Sequence, residues 1–520
     1  MDIEQFRKAG YQAIDRICDY YYSLQNRPVV PQVEPGYLRK HITATSLPEE
    51  GEDFQIIADD YQKFILPGLT HWQHPSFFAY FPTACTFEGM LGDLYASSAT
   101  NPGFNWLASP ACTELETIVI DWAADLLGLA SEFKNDSGIG GGVFQTTASD
   151  SVLVVVAAAR SLYLSRHPQA KIEELVIYTT TQTHSVGAKA GIVYGIKVRA
   201  IPVNMEDGLA LRASALRKAI EEDEAAGLRP FILIASVGTT SSGAIDCIPE
   251  IREVVKDHPD LWVHIDAAWA GVALACPETR ETMFLDDINA FANSFCTNFH
   301  KCYVVFQWGL VNFDCSALWV RNRRHLTDAL DITPAYLRTK HGDEGKVIDY
   351  RNWHLGLGRR FRSLKVWFVL RSYGAEGFRK YIRECITHNN TFASLIRASN
   401  RLQLVTEPSF ALTVFRLVPP SRSVPAVSPA DSGVDLSAIS SSGITSEYDL
   451  EALNDLNKDY MSRLAARSDI MLTQTTLNGI YCIRFAVGAA RTKDEHVRRA
   501  WEVVEEEAEK ALEAWNATKA

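Results

Sequence analysis

Apolar residues recur at helical spacing near the amino terminus, where Ile3, Phe6, Ala13, Ile14, Ile17, Tyr21 and Leu24 fall on one stripe. That spacing predicts an amphipathic helix over 3–24, and such a helix has to bury its stripe against something. The stretch RPVVPQVEPGY then breaks the pattern, as Pro and Gly do. Between about 110 and 320, helical patterns alternate with short β-branched runs: LVIYTT at 175–180, FILIASV at 231–237 and LWVHID at 261–266. Strands separated by helices indicate βαβ units. The runs are apolar nearly throughout, as strands covered on both faces should be. The expected fold class is α/β with a mostly parallel sheet.

Farther along, PPSRSVPAVSPADSGVDLSAISSSGITS at 419–446 is rich in Ser and Pro, which predicts a flexible, disordered insertion inside a smaller C-terminal domain. The last helical pattern, about 494–516, is strongly charged.

Composition changes the picture by exclusion. The chain has 520 residues, 47% hydrophobic and 22% charged, enough apolar material for a large core. Lys and Arg total 51 against 63 Asp and Glu, a formal charge of −12, so there is no cationic surplus for a phosphate backbone and no nucleic-acid partner is expected. The start, MDIEQFRKAG, has mixed charges and no apolar run behind it, unlike a secretory signal. The most apolar stretch, 152–159, is too short to cross a bilayer. A cytoplasmic protein without a membrane partner is the expectation. The ten cysteines are scattered, with no C-x-x-C pair and no His cluster at metal spacing, so they read as reduced thiols and no metal is expected.

Four features could carry chemistry. GGGVFQTTASDS at 140–151 is a Gly-rich turn running into an apolar helical pattern. It reads either as a phosphate site at a helix N-terminus or as a plain strand-to-helix turn. Asp266 closes LWVHID at the sheet edge where ligands of open α/β folds collect. Buried there, it needs a cation such as a protonated pyridine nitrogen, unless it merely caps the next helix. Lys301 ends Asn298-Phe299-His300-Lys301 between apolar flanks, and burial of that kind could lower its pKa enough for Schiff-base chemistry, which an exposed lysine would not allow. His184 follows LVIYTT and reads either as a ring stacked on a cofactor or as a core histidine.

With these motifs in view, the chain resembles the aromatic L-amino-acid decarboxylases, pyridoxal phosphate (PLP) enzymes of the group II decarboxylase type. The resemblance is carried by EPGYLR at 34–39, THWQHPSFFAYFPT at 70–83, SPACTELE at 109–116, HIDAAWAG at 264–271, NFHK at 298–301, LVNFDCSALWV at 310–320 and GRRFRSLK at 358–365. It implies an aspartate-aminotransferase-like fold of type I and a homodimer with shared active sites. An N-terminal segment, 1–84, would pack on the partner, with a large PLP domain at 85–366 and a small domain at 367–520. Ala148 and Ser149 would hold the phosphate with His300, His184 would stack on the ring, and Thr240, Ala268 and Asn298 would line the site. Asp266 would pair with the pyridinium and Lys301 would carry the cofactor. Trp72, Tyr80, Phe81, Pro82 and Thr83, with Phe104 of the neighbouring subunit and Gly358, would form the substrate pocket, or else an aromatic core cluster.

The implied reaction is decarboxylation of tryptophan, 5-hydroxytryptophan, tyrosine, DOPA or phenylalanine to the arylalkylamine. By the same resemblance Tyr336, in TPAYLRTKHGDEGKVIDY, would protonate the substrate Cα, and relatives with Phe there resemble arylacetaldehyde synthases. One departure stands out: Cys302 to Gln307 intervene where the family continues directly from the lysine to Trp. The chain either loops these six residues out or is an inactive dimer. Gln73 and Pro102 also differ from common family choices near the pocket.

Overall fold

The computed structural model describes residues 1–42, 47–83, 85–301, 311–420 and 449–517. The six-residue departure at 302–307 lies outside them, as does the Ser/Pro-rich stretch beyond Pro420.

Seven strands form the central sheet: β1 Gly141–Gln145, β2 Leu175–Thr180, β3 Lys197–Ile201, β4 Arg229–Ser236, β5 Trp262–Asp266, β6 Ser294–Asn298 and β7 Ser316–Val320. Their order is β1-β7-β6-β5-β4-β2-β3. The central pairs β6-β5-β4-β2-β3 are parallel, while β7 runs antiparallel between β6 and β1. The fold is thus the expected α/β class, mostly parallel. Every residue of β1, β2, β5, β6 and β7 is buried, which is why their sequences lack apolar/polar alternation.

The helix Ala148–Arg166 extends the apolar run 152–159 in both directions and is, by length and composition alone, long and apolar enough to cross a membrane. Here it packs across β4, β5, β6 and β7 with Val152, Val154, Val155 and Val156 buried. Its N-terminus carries a capping box, Thr147 accepting from Asp150 N–H and Asp150 from Thr147 N–H.

Helix Arg362–Ala398, interrupted at Gly374 (φ 60°), carries the chain across the boundary expected at 366–367. It leads to a second, antiparallel sheet of β8 Leu402–Leu404, β9 Leu412–Leu417, β10 Thr473–Leu477 and β11 Ile480–Ala486, in the order β10-β11-β9-β8. The end of the N-terminal segment docks against this small sheet. Phe78 stacks on Phe485 at 4.2 Å, and its carbonyl accepts from Ala486 N–H at 3.0 Å.

The predicted N-terminal helix spans Ile3–Ser23, capped by Asp2. Tyr21 and Leu24 are buried, but Ile3, Phe6, Ile14 and Ile17 are exposed, Ile3 by 74%. Of the described cysteines all are free thiols, and Cys112, Cys276, Cys296, Cys315, Cys385 and Cys482 are buried.

Candidate active site

The parallel strands all deliver their carboxyl ends to one edge, and a cavity of about 220 Å³ opens there. Its lining includes Thr147, Ala148 and Ser149 after β1, His184 after β2, Thr239 and Thr240 after β4, Asp266 and Ala268 at β5, and Asn298, His300 and Lys301 at β6. All nine residues expected around the cofactor therefore meet in one place, drawn from segments up to 150 residues apart in the Ala148 to Asn298 contact.

Asp266 is buried at the end of β5, and its Oδ1 accepts from Ala268 N–H at 3.1 Å. Among the described residues no cation lies within ion-pair distance of it. A buried carboxylate without a counter-charge costs several kcal/mol, so the site is built for a cation that arrives with a ligand.

Crowding by protein atoms lowers the pKa of Lys301 below the ordinary lysine value; Asp266 and Cys296 pull the other way, and the Arg484 charge adds to the lowering. The backbone of Lys301 pairs with Thr83, and its Nζ lies 6.0 Å from the centre of the Phe81 ring. A lysine biased toward the neutral amine is the form that attacks a carbonyl carbon.

His300 is pushed down to about 4, first by burial and then by the Lys301 charge, so it is neutral at pH 7. Its Nδ1 faces both the N–H (2.9 Å) and the carbonyl (2.8 Å) of Cys315. With Nδ1 accepting that N–H, Nε2 carries the proton and can donate to an anion. His184 is also lowered, by burial and by Lys301, and its Nδ1 accepts from Val186 N–H at 3.3 Å.

Asn298, which lines the cavity, also ties two elements together. Its side-chain oxygen accepts Ala148 N–H at 3.0 Å, tying the end of β6 to the N-terminus of helix Ala148–Arg166. Ser149, one residue on, keeps an N–H with no intrahelical acceptor, together with its hydroxyl. The helix end, Ser149 and His300 form a neutral cradle of donors suited to a phosphate dianion. Gly238 in the lining has φ +87°, and a Cβ there would lie 2.4 Å from the Ala270 Cβ, so this turn admits only glycine.

The expected substrate residues separate. Phe81 stacks on the cavity-lining Trp269 at 4.3 Å, Pro82 is buried, and Thr83 joins Lys301. Trp72 and Tyr80 stack on each other at 5.5 Å, with Trp72 also against Phe77 at 4.7 Å. Neither lines the cavity, nor do Phe104 and the exposed Gly358. Tyr336 sits in the turn Ala335–Leu337, 80% exposed.

Sequence reading missed several contributors. Trp269 lies inside HIDAAWAG and Thr239 two residues beyond FILIASV, so both carry a local signal. Arg484 on β11 gave no local signal. It is buried, its guanidinium lies 4.8 Å over Phe81, and it donates to Tyr80 O (3.3 Å) and Thr473 Oγ1 (3.1 Å). Burial lowers it to about 10. Glu116 of SPACTELE and Arg359 of GRRFRSLK form a buried bidentate pair at 2.5 and 2.9 Å, and both hold Phe144 of β1.

A neutral-leaning lysine, a buried carboxylate awaiting a cation, and a phosphate cradle on one sheet edge fit PLP group by group. Residues 35–418 match the pyridoxal-dependent decarboxylase conserved domain, and the chain belongs to that family. It is 40% identical over 523 residues to an aromatic-L-amino-acid decarboxylase of Mus musculus, covering 99% of each chain. Its fold is similar to that of Oryza sativa TDC solved with PLP and tryptamine, with a TM-score of 0.88 and 34% identity over 98% of this chain and 99% of that one. It is also similar to Rhodiola rosea 4-hydroxyphenylacetaldehyde synthase, with a TM-score of 0.84 and 33% identity over 98% and 99%.

Proposed function

We propose that this protein decarboxylates aromatic L-amino acids to arylalkylamines with PLP held on Lys301. The observation that carries the reading is the pairing, in one cavity, of a desolvated Lys301 with a buried Asp266 that has no ion-pair partner among the described residues. PLP supplies the electron sink for the pair released when CO2 leaves. The chain supplies the rest. Ser149, the helix end and His300 fix the phosphate, Asp266 receives the ring nitrogen, and His184 covers the ring. Trp269, backed by Phe81, presents an aromatic wall, and the angle at which these groups hold the substrate selects which Cα bond breaks.

A second copy completes the site in this reading. Helix Ile3–Ser23, with its exposed apolar face, meets helix Phe87–Ala99 where Tyr21 packs on Phe87 at 5.1 Å, and Phe87, Leu91, Leu94 and Tyr95 are exposed there too, apolar surface of the kind that marks an interface. Phe104 and Tyr336, which do not reach the cavity of their own chain, are then available to the neighbour. The Tyr336 hydroxyl would return the proton to Cα.

The test is to incubate PLP-loaded protein with tryptophan, 5-hydroxytryptophan, tyrosine, DOPA and phenylalanine and to measure CO2 and amine. Amine from at least one is expected, and Tyr336→Phe should divert that substrate in air to aldehyde, ammonia and peroxide. Protein that binds PLP yet releases no CO2 from any of the five would contradict the proposal. Aldehyde from the unaltered protein would favour the synthase reading.

A further inference from the structure

β5 and β6 run parallel with Asp266 directly opposite Cys296. The Cys296 thiol is fully buried, and its Sγ lies 3.8 Å from Asp266 Oδ1. Oδ1 already accepts the Ala268 N–H, so the thiol completes its coordination. Oδ2 has no protein donor among the described residues, and Asp266 lines the cavity.

We infer that Cys296 is a positioning residue for the cofactor: its S–H holds Asp266 by Oδ1 so that Oδ2 is the oxygen presented to the ring nitrogen. This rests on the reading above, in which Asp266 receives that nitrogen. Burial first, and then the Asp266 charge, raise the thiol well above its usual range. Cys296 therefore stays protonated and serves the carboxylate only as a donor. An S–H is a weak donor. It orients the carboxylate while withdrawing little of the charge that keeps the ring nitrogen protonated, whereas a hydroxyl in its place withdraws more.

The experiment uses the full chain, stripped of PLP and reconstituted with PLP labelled at the pyridine nitrogen. Three quantities are read: the PLP dissociation constant, the NMR shift of the labelled nitrogen, and the melting temperatures of apo and loaded protein. Cys296→Ala removes the tether and should weaken PLP about 5-fold, the worth of one modest hydrogen bond. Cys296→Ser should recover most of that affinity and move the nitrogen shift toward the unprotonated value. A merely structural cysteine would lower apo and loaded melting temperatures together and leave both other readings where they were. If both variants bind PLP within twofold of the parent with an unchanged shift, the inference is overturned. Asp266→Asn is the separate control: if it also leaves affinity and shift unchanged, the assignment of Asp266 fails instead.

Discussion

Single side chains decide whether this site is assembled. Arg359 and Glu116 are both almost completely buried and joined by two hydrogen bonds, while Glu116 also accepts Phe144 N–H at 2.8 Å. Through that contact the pair sets the end of β1, from which Thr147 to Ser149 enter the cavity. Glu116→Gln keeps the shape and an acceptor but leaves the guanidinium buried without its charge. We expect a loss of about 3 kcal/mol, read as a lower urea midpoint with an unchanged slope. A midpoint equal to the parent's would mean that water or another carboxylate replaces Glu116. Glu116 and Arg359 were visible in the sequence as members of two motifs, but nothing local says that they pair, because 243 residues separate them.

At the scale of elements, legibility follows how local the cause is. LVIYTT forms β2 over the residues expected, and LWVHID supplies β5 with Asp266 at its end. In both, β-branching and flanking breakers act within a few residues. The strand runs alone located Asp266, whereas Ala148, Ser149, Thr240, Ala268, Asn298 and His300 were expected only through the family resemblance; all of them line one cavity because each follows a strand end or opens the next helix. The place of β7, antiparallel between β1 and β6, was not legible, since strand order is settled by long-range packing. The same holds for Arg484, which reaches the site from β11, and for the end of the N-terminal segment, whose Phe78 docks on that strand. The expected substrate wall was legible only in part. Phe81 and Thr83 are held beside Lys301, whereas Trp72 and Tyr80 stack on each other outside the cavity. The first helix forms where its apolar spacing predicts, but of that stripe Tyr21 and Leu24 are buried while Ile3, Phe6, Ile14 and Ile17 are exposed.

For the whole molecule, buried titratable groups set how stability depends on pH. His74, His264 and His300 are all pushed down to about 4, chiefly by burial. Their unfolded values lie near 6.5, so between 6.5 and 4 the unfolded chain binds more protons and stability falls as the solution is acidified. Asp246, fully buried and raised to about 6 by burial, acts with the opposite sign, because the folded state holds its proton first as pH falls through 6. Three groups outweigh one. The melting temperature should drop progressively from pH 6.5 to 4, and a rise over that range would show that the histidines charge without penalty.

The proposed chemistry turns on one bond, between PLP and Lys301. Purified protein loaded with PLP and reduced with borohydride should carry a single phosphopyridoxyl group, and peptide mass analysis should place it on Lys301, with Lys301→Ala taking up none. A label on another lysine, or a protein that stays colourless and unlabelled with excess PLP, would contradict the account.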